Sequence, residues 1–320
     1  MINTYKPEGM ISSSAKNREY LYGGRVMLER AMLDGAILES TALLCDGDMN
    51  LHVDLHGITG IMPREEVVYC RDGEEIKDIA IITRVGKPIC FKILSIEEVN
   101  GRTVAYLSRR QAQIECMNNY VSDLIPGDII VSRVTHLEGF GAFVDIGCGI
   151  IALLTVDCIS VSRFSHPSDR LFPGMTINTI IKAIDEEKGR IFVSMRELLG
   201  TWEENAAMFS QGQTVAGIIR SVESYGVFVE LTPNLAGLAE LRDDMPALYD
   251  KDACGRFAAV YIKSIIPERM KIKLVLIDSY KGEASMPKLN YYIDCTKIRH
   301  LDVWRYSPIT CKKTIETVFE

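Results

Sequence analysis

Apolar and polar positions alternate in short bursts along this chain, and the clearest is Gly139-Phe140-Gly141-Ala142-Phe143-Val144-Asp145-Ile146-Gly147. Its period of two predicts a turn opening into a short strand that carries two aromatic rings. Tyr225-Gly226-Val227-Phe228-Val229-Glu230-Leu231 repeats that order of residue types. Met49-Asn50-Leu51-His52-Val53-Asp54-Leu55 keeps the Val-acid-aliphatic end and lacks the rings. The likeness continues along the chain. Gly35, Gly127 and Gly212 open a strand-like run upstream of each copy, and Gly60-Ile61, Ala152-Leu153 and Gly237-Leu238 follow each Val. Further on, Lys92, Lys182 and Lys263 each interrupt an apolar strand, and residues 103–107, 190–193 and 271–274 form a last strand. The shared order predicts three copies of one small β module.

Five short strands per copy, closed by Gly, Asp and Asn turns, fit a small Greek-key barrel of OB type, whose closure removes exposed strand edges. The expected fold is therefore mainly β, with three tandem five-stranded OB barrels at 33–110, 124–197 and 211–278. Between them the pattern turns helical. Residues 111–123 read as a short helical spacer with Ile114 and Met117 on one face. Residues 198–210 read as another, with Leu198, Trp202 and Ala206 at i, i+4 and i+8, a spacing that makes Trp202 a packing residue. Residues 1–32 form an N-terminal arm with two short helices parted by Gly23-Gly24. Residues 279–320 form a small α/β C-terminal extension, which Tyr280, Tyr291, Tyr292, Trp304 and Tyr306 are expected to bury on the third module. Ser307-Pro308 reads as the N-cap and first residue of a helix over 308–319.

Composition changes this picture in four ways. Hydrophobic residues are 47% of 320, enough for folded cores. No apolar run is long enough to span a membrane, and residues 1–16 hold no apolar signal region, so a cytoplasmic protein is expected. The nine cysteines are scattered, with no Cys-x-x-Cys pair and no His at ligand spacing, and read as reduced, mostly buried thiols. A net charge of -7 excludes nucleic-acid binding through a global basic field and leaves local patches and stacking.

Strand periodicity decides which side chains could do that. Ala142, Val144, Val227 and Val229 face the barrel interior, so Phe143 and Phe228 face out. Phe140 and Tyr225 lie three residues earlier, and a bend or bulge at Gly141 and Gly226 would turn their rings outward too. Outward aromatic pairs can stack bases. Lys182, Lys263, Arg190, Lys271 and Lys273, with Arg269 in the preceding turn, are candidates to track phosphates or else are ordinary solvated charges. His136, just before Phe140, either joins the stack or is an ordinary exposed His.

These residues carry a family resemblance. Residues 127–194, with Phe140-Gly141-Ala142-Phe143-Val144-Asp145-Ile146 and Gly189-Arg190-Ile191-Phe192-Val193-Ser194, resemble the S1 RNA-binding domain. Residues 212–278 look like a second copy, and 33–110, with Gly57-Ile58-Thr59-Gly60-Ile61-Met62-Pro63, resembles the divergent early copies of such proteins. The resemblance implies OB barrels that bind single-stranded RNA through Phe140, Phe143 and Arg190, and through Tyr225 and Phe228. It departs from the family at Thr155 and Glu240, where His is frequent, and an acid there weakens phosphate tracking. The first copy has Met49 and His52 in place of the rings and Val104 near the usual Arg, which points it toward protein.

Three functions compete. The first is a non-enzymatic protein of the translation apparatus that holds mRNA, docks through its first module on the small ribosomal subunit and needs no cofactor. The second is an RNA-processing enzyme. Against it stands the lack of a Gly-Lys-Ser/Thr loop, His-Glu-x-x-His, Gly-x-Ser-x-Gly or metal-spaced set, with acids scattered over turns as solvated charges. The third is a protein-interaction adaptor, favoured by the net acidity and the ring-less first copy.

Overall fold

A computed structural model describes residues 5–70, 75–240, 253–282 and 289–320. In it β1 (Leu38–Cys45), β2 (Leu51–Asp54), β3 (Thr59–Met62), β4 (Pro88–Val99) and β5 (Arg102–Ser108) close a barrel in the order β1-β2-β3-β5-β4. The second barrel uses β6 (Ile129–Glu138), β7 (Gly141–Gly147), β8 (Ile150–Thr155), β9 (Thr176–Asp185) and β10 (Arg190–Ser194). The third uses β11 (Thr214–Glu223), β12 (Gly226–Thr232), β13 (Leu235–Ala239), β14 (Phe257–Ile266) and β15 (Lys271–Tyr280). All three have one topology, with the third strand parallel to the fifth. This is the five-stranded Greek-key closure that the repeats predict.

The conserved spacing of the repeats has a packing cause. Val53 faces Gly60, and Val229 faces Gly237, across the hairpin of second and third strands. A Cβ on Gly60 would lie 2.8 Å from Leu107, and one on Gly237 2.6 Å from Leu274. Both leucines belong to the closing strand, so a small residue is what lets the third and fifth strands come together. Ala142, Val144, Val227 and Val229 are buried, as the period of two requires.

The chain falls into two compact units. One is Met1–Leu124 with Val131–Arg133 and Val144–Ile151. Here α1 (Ala15–Tyr22) and α2 (Gly24–Leu33) form as expected, and their Tyr20, Leu21, Leu28 and Ala31 join the core of the first barrel. A short α3 (Asp78–Ile82) lies between β3 and β4. The spacer helix α4 (Arg109–Asn119) buries Arg109, Ala112, Gln113 and Cys116, not the expected Ile114–Met117 face. An apolar count misses that face because its buried members are polar. Arg109 is drawn in by Glu8, with Nε donating to Oε1 at 2.6 Å and Nη2 to Oε2 at 3.0 Å, and Gln113 accepts from the Tyr69 N–H at 2.8 Å.

The other unit is Ile125–Ile130, Val134–Phe143 and Ala152–Glu320. A short α5 (Val156–Ile159) follows β8. Leu198, Trp202 and Ala206 are buried as their spacing predicts, but not on one helix. Gly200, at φ +85°, separates a 3-10 turn from α6 (Trp202–Ala206), which Thr201 and Glu204 start with a capping box.

The C-terminal extension departs from expectation. No helix forms over 308–319; β16 (Val303–Arg305) pairs with β17 (Glu316–Val318) instead, so the described extension is strand and loop. The Thr314-Ile315-Glu316-Thr317-Val318 run is β-branched at every second position or more and prefers a strand. Ser307 closes the hairpin, its Oγ accepting from the Ile315 N–H at 3.0 Å, rather than capping a helix. The extension also packs on both neighbouring barrels. Trp304 and Tyr306 lie in the third barrel's core, while Tyr291 and Phe319 pack with Ile129 and Ile180 of the second. The Tyr306 hydroxyl donates to the Asn234 carbonyl at 2.5 Å, and the Leu301 N–H to that of Gly127 at 2.9 Å.

His300 ties this extension to Asp128, with Nδ1 2.8 Å from Oδ1 and Nε2 3.4 Å from Asp302. The hydrogen bond to Asp128 raises the imidazole above its usual value, Asp302 adding to it. A raised folded-state value means that the tie is fully present below the unfolded value, about 6.5, and is lost as pH rises through the folded one. The stability difference between wild type and His300→Gln should therefore shrink as pH is raised from about 6 to about 9. Thermal midpoints across that range check it, and a difference that grows with pH would contradict it.

Candidate nucleic-acid interface

Phe140 sits in the two-residue turn between β6 and β7, and Tyr225 in the matching turn between β11 and β12. They are 56% and 61% exposed. Phe143 and Phe228 follow on the strands, half-buried and outward. The two pairs share one geometry: Phe140 and Phe143 meet edge to face at 6.0 Å and 89°, and Tyr225 and Phe228 at 6.2 Å and 90°. His136 lies nearly parallel to Phe143, at 6.4 Å and 18°, with Nε2 2.8 Å from Glu138.

The glycines act differently from expectation. Neither Gly141 nor Gly226 has a positive φ, and both are buried. A Cβ on either would run into the Leu154 or Ala239 carbonyl of the next strand. Phe140 and Tyr225 face out because they are turn residues; in the third barrel the bulge is on the preceding strand, between Ile219 and Ser221.

Strand register extends the face sideways. Phe228, Leu238 and Lys273 stand in one row across β12, β13 and β15. The equivalent row in the second barrel ends at Phe192, opposite Leu153. Phe192 is thus a third ring on that face, readable only once the last strands are aligned residue by residue. In the first barrel the row is His52, Ile61 and Tyr106. His52 is held at 3.0 Å by Asp46, and this hydrogen bond leads the interactions that pull the Asp46 carboxyl down to about 2.

The basic candidates divide. Arg190 and Lys271 open equivalent strands and are exposed. Lys271 lines the groove that also holds Tyr225, Phe228 and Lys273. Lys182 and Lys263 occupy the same bulge of their strands and lean toward the acid after the third strand, Asp157 at 3.9 Å and Glu240 at 4.0 Å. Lys182 is also 3.1 Å from the Cys158 sulfur. Glu240 draws Lys273 as well, at 3.9 Å. Lys92 is two residues out of register with these lysines, since Leu94 holds the bulge in the first barrel, and it pairs with Glu115 at 2.5 Å.

Two of the three acids of the repeated triplet are buried rather than solvated turn charges; Asp54 is half-buried and accepts from the His56 N–H at 2.9 Å in the turn after β2. Glu230 is buried between Arg170 and Arg220, accepting from Arg170 Nη1 at 2.7 Å and Arg220 Nε at 2.8 Å. Asp145 is buried and accepts from the N–H groups of Glu8, Gly147 and Gly149 at 2.7, 2.8 and 3.0 Å. Burial, with the Glu8 charge adding, raises its carboxyl to about 7. Among the described residues no three His, Cys, Asp or Glu side chains gather as a metal site, and no helix is long and apolar enough to cross a membrane.

Outward ring pairs on a barrel strand beside a basic last strand are the arrangement that stacks bases and tracks a backbone. Residues 123–196 match the S1 RNA binding domain. That S1 match takes in the whole of the second barrel, with Phe140, Phe143, Phe192 and Arg190. Over a longer stretch the chain is similar to small ribosomal subunit protein bS1. It is 32% identical over 60% of its length to that of Leuconostoc lactis, of which the match covers 44%. With those of Rhizobium meliloti and Rhodopseudomonas palustris it shares 31% and 33% identity over 60% of this chain and 33% of each relative. The chain thus spans less than half the length of these relatives.

Proposed function

We propose that this chain is a non-enzymatic, cytoplasmic protein that binds single-stranded RNA, mRNA in particular, in translation. The observation that carries the reading is the edge-to-face ring pair repeated at the same positions of the second and third barrels. Phe140, Phe143, Phe192, Tyr225 and Phe228 offer faces to bases, with Arg190, Lys271 and Lys273 at the phosphates. His136 supports Phe143, while Lys182 and Lys263 contribute less because Asp157 and Glu240 partly neutralise them. The similarity to bS1 supports an association with the small ribosomal subunit. The first barrel is the candidate for that protein contact, because its row lacks the ring pair and His52 is held by Asp46.

Filter binding of a short single-stranded RNA at two salt concentrations tests the reading. Affinity should fall with salt at a slope of about -0.7 per phosphate contacted. No binding, or binding indifferent to salt, would overturn it.

A further inference from the structure

A groove of about 550 Å³ beside Tyr225 and Phe228 is also lined by Arg163, Arg269, Lys271 and Lys313. All four cations are exposed and have no carboxylate partner among the described residues. Arg220 lines the groove too, but is committed to Glu230 and Asp169; the acid in the lining is Glu223. In a chain of net charge -7, such an excess of unpaired cations is a local concentration. The groove shares Val161, Ser162, Arg163 and Ile315 with a second depression, of about 410 Å³, that reaches Val156 and Asp157. The Val156 N–H donates to the Phe140 carbonyl at 2.9 Å. The two depressions therefore run from the third barrel's ring pair to Val156, the residue hydrogen-bonded to the turn that carries the second barrel's outermost ring. Trp304 lines this run, and its indole N–H has no partner among the described residues.

We infer that this run is the path of the RNA backbone from one ring pair to the other, with Arg163 and Lys313 holding phosphates along it. The inference rests on the RNA-binding reading above. Bases stacked on two separate barrels leave the intervening phosphates to be neutralised, and only local cations can do so in an acidic protein. Arg163 comes from the connection between β8 and β9, and Lys313 from the C-terminal extension. The extension thereby completes a binding surface that neither barrel forms alone.

The experiment compares two RNAs by fluorescence anisotropy: one of about six nucleotides, within reach of a single barrel, and one of about twenty, long enough for both. The wild-type protein should bind the longer RNA more tightly through effective concentration. Arg163→Glu with Lys313→Glu should lose about tenfold or more on the longer RNA, and little on the shorter. Arg163→Gln with Lys313→Gln, which removes attraction without adding repulsion, should lower the longer RNA's salt slope by about 1.4. Wild-type affinity of both variants for the longer RNA would overturn the path and leave the RNA-binding reading intact. An equal loss on both RNAs would also overturn it, as would preference of the groove for an acidic peptide over RNA. Absence of RNA binding by the wild type would instead remove the reading on which it rests.

Discussion

Glu230→Ala should lower the unfolding free energy of the unit that holds the third barrel by about 3–5 kcal/mol. Arg170 is fully buried, and its guanidinium is paired at both Nη1 and Nη2 with the Glu230 carboxylate. Arg220, almost as buried, takes the same carboxylate from the other side and reaches Asp169 at 3.1 Å. Removing the carboxylate leaves two desolvated cations facing each other, with Ser160 Oγ at 3.3 Å from Arg170 Nε and Asp169 as the remaining acceptors. Desolvation has already been incurred, so losing the partner costs more than the pair itself contributes. At about 1–3 kcal/mol per molar of urea, the midpoint should fall by about 2 M. Arg170→Met combined with Glu230→Leu should recover much of the loss, because apolar replacement of both partners removes the desolvation along with the attraction. A single mutant within about 1 kcal/mol of wild type would show that Arg220 and Asp169 suffice without Glu230.

Much of this architecture was legible in the chain, because barrel closure imposes a period. The Val53–Gly60 and Val229–Gly237 pairs recur since the first and third barrels each fit a leucine of the last strand over a glycine of the third. The outward position of Phe143 and Phe228 followed from the same alternation. What escaped was set by partners distant in sequence. Arg109 turns α4 because Glu8 lies opposite, and no local pattern announces that contact. Ser307-Pro308 reads equally well as a helix start or a hairpin loop, and the choice was made by Ile315 and Thr317 pairing back across it. Lys92 looked equivalent to Lys182 and Lys263 because Lys-in-strand was matched without its bulge, and two residues of slip move a side chain along the strand. At the candidate site, Phe192 and the cations Arg163 and Lys313 were missed. The first needs strand register; the others come from a long connection and the non-repeating tail.

Phe143→Ala combined with Phe228→Ala should cut affinity for a single-stranded RNA that reaches both barrels by well over tenfold, with the fold retained. Base stacking on one aromatic contributes about 1–3 kcal/mol, and about 1.4 kcal/mol is a factor of ten. Phe143 underlies more than its own contact, since Phe140 meets it edge to face and His136 lies parallel to it. Its loss leaves Phe140 without its edge-to-face partner and takes away the ring beside His136, so the single change at Phe143 should exceed that at Phe228, which holds one ring. Both side chains are outward and half-buried, so truncation opens no core cavity, and thermal midpoints should move little. Phe143→Leu separates stacking from apolar area: it keeps most of the bulk without a flat face, and should recover stability but not RNA affinity. Affinity rescued by leucine, or unchanged in the double alanine variant, would sink the stacking mechanism even if the protein binds RNA. If the ring pairs act as two linked sites, the single variants should lose the advantage of a long RNA over a short one, because one remaining pair cannot convert the second contact into an intramolecular one.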